Sequence, residues 1–456
     1  MRRPSSTWTL PSQMLLPSER CTENLSFADT GSMRRFLLKA VATCVILAVG
    51  VSSCVALRSR DLPPRDDADL MLEPADVAPD ENGYVLLETL IAGIDMPKDH
   101  DLWDHLMHVL LEEEEPDGRV AVLLTRNRAI IEGLPRVVAA KFFQFPERGI
   151  KEIGSLPYLE LAYLLAMQAY DHARHARNEE ALQISLTGVA LAHRIQNAER
   201  ATLVDMILAM SMSNIACKGL RRSIPHLTIR PAVARRAAEE LQSYRSDPGG
   251  WSRMWATEYR FGKNVLGMLV RAGATQSLRT SWNPMSLLPD GYVFQPNRTQ
   301  QWLADHYRSA QRDSALVCTK LEFTPPKPSD WQRLRAMLDR NGLASVVFES
   351  HSDLLPFQQR RCLGDTELAA TATLLGLRAH RRDHAELADS LEQLVPTYLA
   401  SLPRDGFDGE TLRYSKTDRR LHSIGSDGTD RGGEDDPSSR RNRDQFEREP
   451  TYFVRF

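Results

Sequence analysis

The residues best suited to chemistry lie close to the end of the chain. Ser423, Asp427, Asp430, Asp435 and Asp436 fall in one short stretch interleaved with glycines. Carboxylates and a hydroxyl are hard oxygen donors, and glycines let backbone carbonyls turn inward, so the stretch has the makings of a calcium loop. Its spacing is not that of an EF-hand, and a Gly/Asp cluster also suits the simple closing turn of a hairpin. Both expectations stand at this point.

A second group is Asp99-His100-Asp101 with Asp104, His105 and His108. On a helix Asp101 and His105, like Asp104 and His108, are four residues apart and share a face, which suits either metal ligands or a polar surface beside the acidic run Glu112–Glu115. Asp171, His172, His175 and Glu179 have a similar form but lack the HExxH order that sets a base beside a metal. Glu258, among Trp255, Tyr259 and Arg260, is expected to form a buried ion pair with Arg260. Trp282, Tyr292, Phe294 and Trp302 read either as single aromatics of the kind normal in loops or as the rim of a partner or glycan surface. The chain has no GxSxG, no P-loop, and no GxGxxG following a strand, which favours a protein that is not an enzyme.

The elements that must position these residues follow from composition. The chain has 456 residues, 42% hydrophobic and 26% charged, with a net charge of −3. That balance suits a folded body and supplies no basic field for nucleic acid. Between Ala40 and Leu57 the chain carries no charge, after Arg34, Arg35 and Lys39. As a helix this run is ~27 Å long, enough for a hydrocarbon core. Residues 33–57 therefore read as a signal anchor, or as a lipoprotein signal in which Val51-Ser52-Ser53-Cys54 is a lipobox and Cys54 the lipidated residue. The membrane is the expected partner, through residues 36–57. Residues 1–32 read as a disordered leader or an upstream mis-start, and 58–81, rich in Pro and Asp, as a juxtamembrane linker.

From residue 82 to 400 the apolar spacing is helical, most clearly over 155–217. There alanines recur at three and four, and Asn178-Glu179-Glu180-Ala181-Leu182 opens a helix after a short turn. The expected fold class is mainly α: an antiparallel helical array, solenoid-like or bundled, with a small C-terminal β-hairpin and loop. That terminal element spans 401–437, and 438–456 reads as a flexible tail. Cys217, Cys318 and Cys362 lack any CxxC spacing and are expected as buried thiols, with one disulfide the alternative in an oxidising compartment.

The terminal element also carries a resemblance. Leu402-Pro403-Arg404-Asp405-Gly406-Phe407-Asp408-Gly409 leads to Leu412-Arg413-Tyr414, then to His422-Ser423-Ile424-Gly425-Ser426-Asp427-Gly428. This resembles the C-terminal segment of type II secretion major pseudopilins, in which such a turn leads to a tyrosine strand and a calcium loop. The same ending is found in uncharacterised bacterial envelope proteins with an α-helical body, which the chain resembles most. Here Gly406 stands where a proline is expected, His422 replaces the usual aromatic, and Arg431 interrupts the acidic loop. A prepilin cleavage motif is not present at the hydrophobic segment. The resemblance implies a location and a fold element. The expected role is a membrane-tethered extracytoplasmic helical interaction or scaffold protein with a protein partner. The rivals are an envelope hydrolase or metal-dependent enzyme with a dispersed site, and a secretion-apparatus accessory.

Overall fold

The structure, a computed structural model, describes residues 30–456 apart from 72, 74–75, 97–99, 112, 148–156, 272–288, 322–340, 343, 345–354 and 434–448. It divides into two units, Met1–Arg58 and Ser59–Phe456, and 66% of the described residues are helical.

The first unit holds α1 (Thr30–Arg58). Its stretch Arg34–Arg58 has a mean hydropathy of 2.4 and buries none of it in the protein, so it is long and apolar enough to cross a membrane. The helix runs unbroken through Cys54.

In the second unit the early helices are α2 (Gly83–Ile91), α3 (His100–Leu110), α4 (Gly118–Arg126) and α5 (Arg128–Val138). The helical apolar spacing over 120–138 carries no sign of a boundary between α4 and α5. The chain breaks at Asn127, which is fully buried and donates its side-chain amide to Asp95 O (3.0 Å) and Leu123 O (2.9 Å). An asparagine that bonds neighbouring backbone competes with the helix ladder, and here it wins.

Next come α6 (Tyr158–Arg174), α7 (Asn178–Gln196) and α8 (Leu203–Ser223). Thr202 and Asp205 form a capping box at the start of α8. Small residues let these helices approach closely: a Cβ on Gly219 of α8 would lie 2.6 Å from the Cβ of Ala166 on α6. α8 also passes the length and composition test for a membrane span, but it is the central helix of the body, packed against α3, α6 and α7.

α9 (Pro231–Ser243), α10 (Pro248–Arg271), α11 (Pro296–Asp313) and α12 (Leu355–His384) complete the body. α10 begins at the very Asp247-Pro248-Gly249-Gly250 run that stops α9, because Asp247 accepts from Gly249 N (3.0 Å) and Gly250 N (3.1 Å). α12 returns to pack on α8 and α9. That contact between distant segments closes the array into a bundle, where a solenoid would touch only its neighbours.

Within the stretch expected as a linker, residues 59–70 are docked on the body. Asp61 caps the start of α11 through Asn297 N (2.8 Å) and Arg298 N (3.0 Å). Asp67 accepts from Lys263 Nζ (2.7 Å), Gln300 Nε2 (3.0 Å) and the Tyr259 hydroxyl. Asp69 meets Arg308 at 2.6 Å, and Leu70 is buried among Trp255, Tyr259 and Tyr307. The aspartates that made the stretch look solvated are its docking contacts.

At the C-terminus β1 (Arg413–Ser415), β2 (Arg420–His422) and β3 (Thr451–Phe453) form an antiparallel sheet in that order. Where a two-stranded hairpin and a flexible tail were expected, the last residues supply the third strand. Tyr452, Val454 and Phe456 are buried in the same core as α8, α9 and α12.

Candidate functional site

The C-terminal element is organised around Asp405, which is wholly buried. Its carboxylate accepts from the Thr366 hydroxyl (2.8 Å), Phe407 N (3.0 Å) and Ile424 N (3.3 Å), and lies 3.4 Å from Arg413. Arg413 also meets Asp408 at 2.6 Å and Asp430 at 3.9 Å. Burial opposes the guanidinium charge, but the three aspartates outweigh it and raise its affinity for the proton. Gly406 is required because a Cβ there would collide with the Cys362 carbonyl and lie 2.9 Å from Asp365 Cβ. Its departure from the pseudopilin proline thus has a local steric cause.

The predicted calcium ligands fall into separate pairings. Ser423 Oγ accepts from Gly425 N (3.1 Å). Asp427 accepts from Thr429 N (3.0 Å) and pairs with Arg431 at 2.5 Å. Burial would raise its carboxyl, but the Arg431 contact and the backbone donor hold it low. Asp430 accepts from Gly432 N (2.9 Å) and lies 3.1 Å from His422 Nε2, contacts that lower its carboxyl. Asp435 and Asp436 lie outside the described residues. Among those described, one group of metal-ligating side chains comes together: His422, Asp430 and Glu449, with one ligand atom from each within 4.8 Å of the others. It shares only Asp430 with the predicted set. Sequence reasoning had His422 in view as a departure from the pseudopilin pattern, but it missed Glu449 by assigning the last residues to a tail.

The other constellations are held by local partners. His105 Nδ1 lies 2.5 Å from Glu114 and His108 Nδ1 2.6 Å from Glu113, so the acidic run folds back on the histidines of α3. Glu115 instead reaches Arg222 (2.7 Å) and accepts from the Tyr170 hydroxyl (3.0 Å), fastening α3 to α6 and α8. Asp171 binds Arg177 (2.6 Å) and His175 (3.3 Å), while Glu179 meets Arg230 at 3.4 Å. The expected Glu258–Arg260 pair does not form. Arg260 reaches Glu147 (2.9 Å), and Glu258 accepts from Leu203 N (2.6 Å) at the start of α8, where burial raises its carboxyl. Of the proposed aromatic rim, Tyr292 and Phe294 are buried and Trp302 is exposed, stacked on His306. Trp282 lies outside the described residues. Cys318 and Cys362 form a disulfide, and Cys217 is a buried thiol pushed up to about 12 by desolvation.

One cleft of about 70 Å³ lies between α10 and the α7–α8 turn, lined by Leu70, Arg200, Thr202, Arg253, Arg260 and Phe261. Arg260 and Arg253 are paired with Glu147 and Glu199 at 2.9 and 3.4 Å. Arg200 holds a left-handed backbone (φ 61°), and its buried Nε has no hydrogen-bond partner among the described residues.

The chain matches no family model, no curated protein and no solved structure, so its likeness to the pseudopilin ending rests on the quoted motif alone.

Proposed function

We propose that this chain is a membrane-tethered helical interaction module whose body lies outside the cytoplasm. The observation that carries the reading is α1, whose stretch Arg34–Arg58 is strongly apolar and buries none of its surface in the protein. The Cys318–Cys362 bridge supports an oxidising compartment for the body. The Arg200 cleft, where a buried Arg200 Nε has no hydrogen-bond partner among the described residues, offers a place for a partner that presents a carboxylate. The apolar run continues past Cys54 through Val55-Ala56-Leu57, which suits an anchor that stays in the bilayer over lipidation.

The test is fractionation of the full chain expressed in a bacterial host. It should stay with membranes through carbonate extraction, and deleting residues 33–57 should release it. A periplasm-dependent reporter fused after Phe456 should be active. A full chain that washes off in carbonate, or a silent reporter, would refute the tether or the orientation. Cys54→Ser separates the two anchors: a spanning helix keeps the chain in the pellet, whereas a lipoprotein loses its acyl mass and its tether.

A further inference from the structure

We propose that His422, Asp430 and Glu449 form a binding site for a divalent transition ion of the zinc class, which ties the C-terminal strand to the loop that follows β2. The three side chains come from separate segments. His422 lies on the central strand, paired with Arg413 of β1 and Thr451 of β3. Asp430 lies in the loop beyond it, and Glu449 immediately precedes β3. One ligand atom from each lies within 4.8 Å of the others, with His422 Nε2 3.1 Å from Asp430 Oδ1. An ion with bonds of about 2.0–2.2 Å to nitrogen and carboxylate oxygen fits such a cluster after small side-chain adjustment.

Two further observations point to a cation. His422 is 6% exposed, and its Nδ1 is buried with no hydrogen-bond partner among the described residues. Nε2 is the ring nitrogen aimed at Asp430, so it is the one that would ligate an ion, and burial of the ring fixes its direction. The site is also rich in carboxylates: among the described residues Asp405, Asp408 and Asp430 all stand against the guanidinium of Arg413, while Arg431, the cation nearest Glu449, turns its guanidinium to Asp427. Glu449 is 9% exposed, and the hydrogen bonds to its carboxylate come from two backbone donors, Arg431 N and Gly433 N at 2.6 Å. Backbone dipoles orient a carboxylate as an outer shell does but do not neutralise it; a divalent ion would. The donor set selects the class of ion, because imidazole suits zinc and its neighbours, whereas calcium takes oxygen alone.

The experiment uses the full chain, solubilised in detergent and stripped with chelator, titrated separately with zinc sulfate and calcium chloride. Metal content is read by mass spectrometry after desalting, alongside calorimetry. The expected result is one zinc per chain, with affinity falling at least about tenfold in His422→Ala and in Asp430→Asn. Asp430 is half exposed, so the second variant keeps the test valid if the first misfolds. Cobalt substitution should give a visible spectrum that His422→Ala changes. Failure to retain zinc, equal affinity in both variants, or uptake of calcium alone with no dependence on His422 would each overturn the proposal.

Discussion

At the scale of single residues, buried carboxylates do the organising in this molecule, and they do so in two ways. Asp405 is fully buried but surrounded by donors and Arg413. Asp405→Ala would leave the buried Phe407 and Ile424 N–H groups without their acceptor and take one of three carboxylates from Arg413, at a cost of about 1–3 kcal/mol per unsatisfied group. Chemical denaturation of the solubilised chain should show it as a lower midpoint. Glu258 is the opposite case, because burial raises its carboxyl above the ordinary glutamate value of 4.5. The folded state therefore holds the proton more tightly than the unfolded chain, and ionisation costs stability as pH rises from 4.5 through the folded value. Glu258→Gln keeps an acceptor for Leu203 N and removes that cost. Its melting temperature should match the parent near pH 4 and exceed it at pH 7 to 8; a constant difference across that range would refute the assignment.

At the scale of elements, close helix packing and a docked connector decide the shape of the body. Gly219→Val would press a branched side chain onto Ala166 and separate α6 from α8, destabilising the fold by about 1–3 kcal/mol. The alanine spacing over 155–217 pointed to close helix packing there, though not to this particular pair. The connector announced nothing. Residues 59–70 are Pro- and Asp-rich, which reads as solvated chain, yet Asp61, Asp67 and Asp69 each meet donors on α10 or α11. Those donors stand more than two hundred positions away in several cases, so no local pattern reveals them. Burial would raise the Asp67 carboxyl, but Lys263, Tyr259 and Gln300 outweigh it and lower it. The contact therefore stabilises the fold above the ordinary aspartate value and is lost as pH falls through the depressed one. Limited proteolysis at neutral pH should cut within 59–70 far faster in Asp67→Ala than in the parent. Equal rates would mean the segment is not docked.

At the scale of the whole molecule, the second unit is stapled at its far end. The Cys318–Cys362 bridge sits with Phe407 and Ile424 in a small core of its own, and it closes 44 positions of chain. Replacing both cysteines by serine should lower stability by about 2–4 kcal/mol. Peptide mapping without reductant should recover the 318–362 pair, and Cys217 should resist alkylation until the chain unfolds, given its burial and raised thiol. Early modification of Cys217 in the native protein would contradict the central packing of α8.

The sequence by itself determined the apolar N-terminal helix, the mainly helical body and the short β element near the end. Each of these is written in local periodicity or in an uninterrupted apolar run, which depends on neighbours a few residues apart. Only the tertiary structure decided that α12 closes the array onto α8, that the connector is part of the body, and that the final residues are a strand. It also chose which acidic and histidine residues meet: His422 with Asp430 and Glu449, and Glu258 with the start of α8 in place of Arg260. Ion pairs and ligand clusters are contacts between segments far apart in the chain. Composition shows that such groups are present, and only the packing of helices and strands brings particular ones within reach.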